Sequence, residues 1–469
     1  MNRRQRMQRR RLLKLAAAGG LASVFGRLPD AAFAQAVSAY ARFADYKALV
    51  CVFLFGGNDS WNMVVPRSAA EYQVYQHSRQ NLAVAQASLL PIAPIVPLPD
   101  GAQLGLHPSM PEIAALFEQD EVCAIVANVG PLIVPTTLEQ YQARAVPLPP
   151  QLFSHNDQQD QWHSLRGRAV SNSGWAGRIA DALGTQTGPA VSLNVSLSGQ
   201  TLFQAGSSTT SYVIGPTGPV DFFGLDGADA LSVARRNGVE AIVGARYTSI
   251  YERAFAEVKQ RALQSAQVVN AALASVRTPN PTPFSTVFPT SALGTQLKTV
   301  AEMIAARGAL DASRQIFFVA AGGFDSHDDQ AQDQPGLLAN VSACLSAFHR
   351  ATVEMGVAQN VTAFTQSDFG RTLTSNGDGT DHAWGGVQLV VGGAVLGRRV
   401  YGSYPVLRIG ATFAVDGADD VGGGRFIPGT SADQYAATLA RWFGVTDADL
   451  ARVAPSIDNF AQRDLGFLI

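Results

Sequence analysis

The chain has 469 residues, 47% of them hydrophobic, and its 35 lysines and arginines nearly balance 37 aspartates and glutamates for a formal charge of −2. That length buries a large core, and the charge balance lacks the basic footprint of a nucleic-acid binder, so no nucleic-acid partner is expected. Three cysteines are an odd count, and Cys51 and Cys123 sit in apolar runs, as small buried hydrophobes do, rather than in a disulfide framework.

From the N-terminus, Arg9-Arg10-Arg11-Leu12-Leu13-Lys14 matches the twin-arginine export pattern. The weakly apolar stretch from Leu15 to Phe25 is too short to span a bilayer and leads to Ala32-Phe33-Ala34, a small-residue cleavage site before Gln35. Residues 1–34 are therefore expected to be a removable signal read by the twin-arginine translocase, which passes folded and often cofactor-loaded cargo. The mature protein is expected to be periplasmic or extracellular, with no stable membrane span after processing. A basic arm is the alternative, and the order basic, apolar, small-x-small argues against it.

Leu49 to Phe55 is a continuous apolar run ending in Gly56-Gly57, the pattern of a strand buried on both faces. The same pattern returns at Val122–Asn128, Ile316–Ala321 and Val361–Gln366. Leu337, Leu338, Val341, Leu345 and Phe348 recur at helical spacing before the last of these, which makes a strand, helix, strand unit. The fold class is α/β with a mostly parallel, doubly wound sheet, in one domain over residues 45–469. A helical pattern from Val239 to about Val276 carries Ile242, Tyr247, Ile250 and Phe255 among charged residues and predicts an inserted helical hairpin or cap around residues 228–291. The Pro-, Thr- and Ser-rich Thr278–Ser291 is a loop, helices follow near Leu297–Ala306 and Tyr435–Phe443, and Gly422-Gly423-Gly424 precedes the last of them.

Three of the strands deliver an aspartate into the following loop: Asp59 after Phe55-Gly56-Gly57-Asn58, Asp325 after Gly322-Gly323-Phe324, and Asp368 after Gln366-Ser367. Open α/β sheets bind ligands at such carboxyl edges. Asp325 and His327 are two apart, so in extended backbone they share a face and can grip one cation. Asp381-His382 and Ser154-His155-Asn156-Asp157 add further histidines beside aspartates. A mixed nitrogen and oxygen set suits zinc or manganese, and leaves calcium or magnesium open for a carboxylate position. Asp59 reads either as a ligand or as the cap of a turn. Arg371 reads either as a surface ion pair or as a clamp on an anionic oxygen. His155 reads either as a site residue or as a helix cap, and His77, His107, His163 and His349 as structural histidines.

These motifs, with Ser60-Trp61-Asn62-Met63, Leu106-His107-Pro108 and Gly174-Trp175-Ala176-Gly177-Arg178, resemble the DUF1501 family of twin-arginine-exported bacterial proteins over nearly all of the mature chain. In motif order that family is similar to the alkaline phosphatase and sulfatase superfamily, whose sites hold two metals. The resemblance implies Asp59 as an early ligand, Asp325 and His327 on one metal, Asp368 on the other, His382 as a late ligand and Ser154 as the nucleophile. Phe369 stands where the superfamily carries a histidine, and an aromatic carbon ring is no ligand, so one divalent ion is expected as readily as two. No Cys/Ser-x-Pro-x-Arg signature supports a formylglycine nucleophile. The expected function is a metal-dependent hydrolase of phosphate or sulfate esters, with Arg371 near the developing negative charge and zinc, manganese or calcium as cofactor. The alternatives are a noncatalytic periplasmic or surface protein binding a small anionic ester or a glycan in the same cleft, and a partner-binding protein built around the Val239–Val276 helices.

Overall fold

The apolar run at Leu49–Phe55 forms strand β1 (Lys47–Leu54), with seven of its eight residues buried. This computed structural model describes residues 43–98, 101–167, 171–184, 191–219, 227–278, 282–409 and 419–469; the signal expected over 1–34 lies outside them. A small antiparallel sheet follows from β2 (Val64–Pro66), β3 (Leu90–Ile92) and β4 (Leu104–Leu106), with β4 in the middle. The remaining strands are β5 (Cys123–Gly130), β6 (Asn194–Ser196), β7 (Tyr212–Val213), β8 (Arg314–Ala321), β9 (Val361–Ser367), β10 (Gly386–Gly392), β11 (Arg399–Tyr401) and β12 (Thr430–Ser431).

With β1 these build a nine-stranded sheet in the order β11-β5-β10-β9-β1-β8-β6-β7, and β12 pairs with β5. The protein is thus mixed α/β with a mainly parallel central sheet. Among its described strands β10 alone runs against its neighbours, β5 and β9. The reversal has a simple cause: the chain between β9 and β10 doubles back in a loop, with no crossover helix to carry it to the other end.

Helices cover both faces, which is why the central strands are buried along nearly their whole length. Val50, Val52 and Leu54 of β1 join the cluster that holds Val300 of helix Ala292–Ala305 and Leu338, Val341 and Leu345 of helix Gln330–Glu354. The alternate residues face the other way: Phe53 meets His163 of helix His155–Ser164, and Phe364 of β9 meets Trp175 and Tyr435. Truncating one such fully buried leucine to alanine typically costs about 2–5 kcal/mol. Cys51, Cys123 and Cys344 are all buried and free.

The segment before the Thr278–Ser291 loop forms two helices, Ala230–Val243 and Ile250–Arg277. The first buries only Ser232. The second buries Val269, Ala272 and Leu273 in the main core, so it docks by its C-terminal part. No described helix is long and apolar enough to cross a membrane.

Candidate metal centre

β8, β1 and β9 are parallel neighbours, with Leu54 level with both Ala321 and Ser367, so the loops after all three strands open at one edge of the sheet. Gly56 lets the first two loops touch: its φ is +115°, and a Cβ there would lie 2.3 Å from the Asp325 backbone nitrogen. Its N–H donates to Asp368 Oδ2 at 3.2 Å, and the Phe324 N–H donates to the Phe55 carbonyl at 3.2 Å.

Asp325 is the hub. Its Oδ2 lies 3.4 Å from His155 Nε2, and its Oδ1 lies 3.1 Å from His327 Nε2 and 3.4 Å from His382 Nε2. His155 opens helix His155–Ser164, while His382 closes the loop that doubles back from β9, where it bridges to Arg371. Ligand atoms of His155, Asp325 and His382 all lie within 4.8 Å of one another. His327 stands against the same centre, its Nε2 2.9 Å from that of His382. Two imidazole nitrogens that close need a proton or a cation between them.

The far sides of two rings set which nitrogen faces inward. His382 Nδ1 is 2.7 Å from the Phe153 carbonyl, which can only accept, so Nδ1 carries the proton and Nε2 keeps its lone pair. Phe153 makes this contact from a left-handed conformation, φ +75°, an uncommon one for a bulky side chain. His155 Nδ1 is 2.7 Å from Asp368 Oδ2, which leaves its Nε2 for the centre; that nitrogen is buried and has no hydrogen-bond partner. An orphaned, inward-facing imidazole nitrogen is what a metal site presents before the ion is counted.

Electrostatics set the protonation states that ligation needs. Burial works to raise the Asp325 carboxyl, but the hydrogen bond and charge of Arg371, with His155 and His327, outweigh it and hold the group below its ordinary value. Burial lowers His382, against the Phe153 carbonyl, with the charges of His155 and Arg371 acting in the same direction as burial. The result is an anionic carboxylate and a neutral imidazole. With the Asp325 side chain 46% exposed, the centre is open to solvent. The two-nitrogen, one-oxygen set, with His327 as a further nitrogen, suits zinc or manganese.

The other residues expected at the site lie around it. Asp368 is fully buried and orients His155, and also accepts from Gln159 Nε2 at 2.9 Å. Asp59 lies in a buried layer beneath the loops: it pairs with Arg79, accepts from Gln330 Nε2, and caps a short helix by accepting from the Trp61 N–H at 3.2 Å. Arg371 is fully buried, its guanidinium spent on Asp325 Oδ1 at 2.6 Å, the Gly56 carbonyl at 3.0 Å, Thr380 Oγ1 at 3.2 Å and the Thr380 carbonyl. It fixes Asp325 in place. Ser154 precedes His155 and its hydroxyl donates to Asp157 Oδ2 at 2.7 Å.

Phe369 is a floor: its ring centroid lies 4.8 Å from that of His155 and 4.6 Å from that of His382. In the sequence His155 reads either as a site residue or as a helix cap, and the signal for the site is the Ser154-His155-Asn156-Asp157 cluster itself. Beside the centre opens a cavity of about 420 Å³ walled by Tyr141, Phe153, His327, Asp381, His382 and Arg425. His163, by contrast, is a packing residue among Phe53, Phe203 and Phe318, where burial lowers it to about 3.

The chain belongs to the family described as "Protein of unknown function (DUF1501)", whose model matches residues 46–453. No curated relative matches the chain. Among solved structures, the crystal structure of Ps i-CgsB in complex with k-i-k-neocarrahexaose is similar over 88% of this chain and 77% of that one, at 11% identity and a TM-score of 0.35. A likeness that low carries no argument about this chain.

Proposed function

We propose that the protein is an exported metal-dependent hydrolase of phosphate or sulfate esters on an alkaline-phosphatase-like scaffold. The observation that supports this best is the convergence of His155 Nε2, Asp325 and His382 Nε2 at an open sheet edge, each histidine held by its other nitrogen. A divalent cation held there would neutralise charge on the ester's oxygens. Ser154, or a water in its place, attacks the phosphorus or sulfur and the bond to the alcohol oxygen breaks; where Ser154 attacks, a water then cleaves the seryl ester and restores its hydroxyl. The Ser154 proton passes to Asp157, whose carboxylate already accepts its hydrogen bond at 2.7 Å. The leaving alcohol oxygen takes its proton from water, which reaches the centre past the half-exposed Asp325 side chain. Arg371 keeps Asp325 in register throughout.

Elemental analysis of protein exported by its own signal, with a panel of aryl phosphates and sulfates, tests this reading. The expected result is near-stoichiometric zinc or manganese, lost in Asp325→Ala with His327→Ala, and turnover that falls with His382→Ala. Folded, metal-free wild-type protein would sink it. A second reading, a noncatalytic ligand-binding protein on the same scaffold, is favoured by Phe369, a packing ring where a second metal would need an imidazole; metal without turnover of any ester supports it. Export itself is tested by Arg9→Lys with Arg10→Lys, which should leave the chain in the cytoplasm.

A further inference from the structure

Arg371 is fully buried, with four of its five N–H groups on protein acceptors, so an anion entering the cavity needs another cation. Arg425 stands on the cavity wall. Its Nε donates to the His382 carbonyl at 2.9 Å and one terminal nitrogen to the Gly422 carbonyl at 3.0 Å, while the other terminal nitrogen has no hydrogen-bond partner among the described residues. The guanidinium lies 5.5 Å above the Phe153 ring. The loop that carries it is built for the purpose. Buried Asp420 gathers the N–H groups of Gly422, Gly424 and Arg425 on one oxygen at 2.8, 2.9 and 3.0 Å. Gly424 turns at φ +76° where a Cβ would meet Leu373 at 2.2 Å. Arg425 is thereby tied to the backbone of His382.

The other walls describe the rest of the ligand. Tyr141 and Phe153 offer half-buried ring surface, and Asp381, its side chain 50% exposed, offers carboxylate oxygens to the same cavity. A carboxylate repels a second anion and accepts from hydroxyls. Aromatic faces, a carboxylate and one guanidinium in about 420 Å³ suit a hydroxylated ring carrying one anionic group.

We infer that this cavity takes the anionic ester of a sugar, with Arg425 holding the anionic group, Asp381 its ring hydroxyls and Tyr141 its apolar face. The inference deepens the hydrolase reading and rests on it for the cation beside the ester, while its binding test runs separately.

Calorimetric titration of the metal-loaded protein with glucose 6-phosphate, glucose 6-sulfate, glucose, phenyl phosphate and inorganic phosphate decides it, with metal content measured on the same samples. The sugar esters should bind more tightly than phosphate or phenyl phosphate. Arg425→Gln should weaken every anion by about tenfold or more, with Arg425→Lys partly restoring it. Tyr141→Ala should weaken the sugar esters and glucose while sparing inorganic phosphate. An Arg425→Gln variant with a native circular-dichroism spectrum and unchanged affinity overturns the inference, as do sugar esters that bind no better than phosphate. Arg425-dependent binding by protein that holds no metal sinks the hydrolase reading alone; bound metal with binding indifferent to Arg425 sinks this inference alone.

Discussion

His155 and Asp368 meet at 2.7 Å between Nδ1 and Oδ2, and this bond decides which nitrogen of the imidazole looks into the centre. Asp368 thereby acts on the centre through His155. Asp368→Asn keeps an acceptor but removes the charge that makes the imidazole a stronger donor to a cation. Zinc affinity, read by competition with a chelator, should fall about 10- to 100-fold with the fold intact. Unchanged affinity would remove Asp368 from this role, and complete loss of metal, as for Asp325→Ala, would make it a ligand.

The approach of the first two loops depends on one glycine. At Gly56 a side chain meets both the left-handed φ of +115° and the Asp325 backbone 2.3 Å away, and neither can move without displacing the hub of the site. Gly56→Ala should destabilise the protein by about 1–3 kcal/mol from the backbone strain, with the clash added, and should lower metal content. Gly322→Ala is the control: a Cβ there has nothing within 4 Å, and its effect should stay within about 0.5 kcal/mol. Denaturant unfolding of the two variants checks the contrast.

Much of the scaffold is legible in the sequence because β1, β5, β8 and β9 are buried on both faces and so are written as mostly apolar stretches without the alternation of a half-exposed strand. Asp325, His327 and His382 are legible as loop residues because glycines mark where the strands end. Their partners are not. Whether a carboxylate ligates a metal or orients an imidazole depends on what stands across from it, and for Asp368 that is a helix start more than 200 residues away, at His155. Asp59 is the same case, since its partner Arg79 ends the helix Ala69–Arg79, beyond β2, and only the fold buries the two together. Arg425 carries no local mark except the glycines before it, which read as a loop until their left-handed turns are seen packing against Leu373.

Away from the centre, burial pushes Asp433 up to about 7, despite the hydrogen bond from the Ser456 N–H at 2.8 Å and the charge of Arg178. An acid raised from its ordinary 3.8 binds its proton more tightly in the folded protein, so its contribution is fully present below about pH 4 and is lost as pH rises to about 7. Asp433→Asn keeps the acceptor and does not titrate. The melting temperature of the variant minus that of the wild type should therefore climb between pH 5 and about 7 and level off above, by an amount on the order of a few kcal/mol in stability. A difference that does not change with pH would show that Asp433 is not held protonated.

Asp59 separates a structural from a ligating carboxylate most sharply. Its side chain and that of Arg79 are both buried, and Arg79 also donates to Asn62 Oδ1 at 2.9 Å and to the Thr372 and Leu373 carbonyls, so the guanidinium is anchored and cannot follow a lost partner to solvent. Asp59→Ala leaves that charge uncompensated and should cost about 3–5 kcal/mol. Adding Arg79→Met should restore part of the loss, because it removes the stranded charge, although the three acceptors it served then go short. Metal content per folded molecule should match wild type in both variants, because the Asp59 carboxylate faces Arg79 and Gln330 and belongs to the layer beneath the centre. Metal lost from Asp59→Ala without a fall in stability would reverse the assignment and return Asp59 to the ligands.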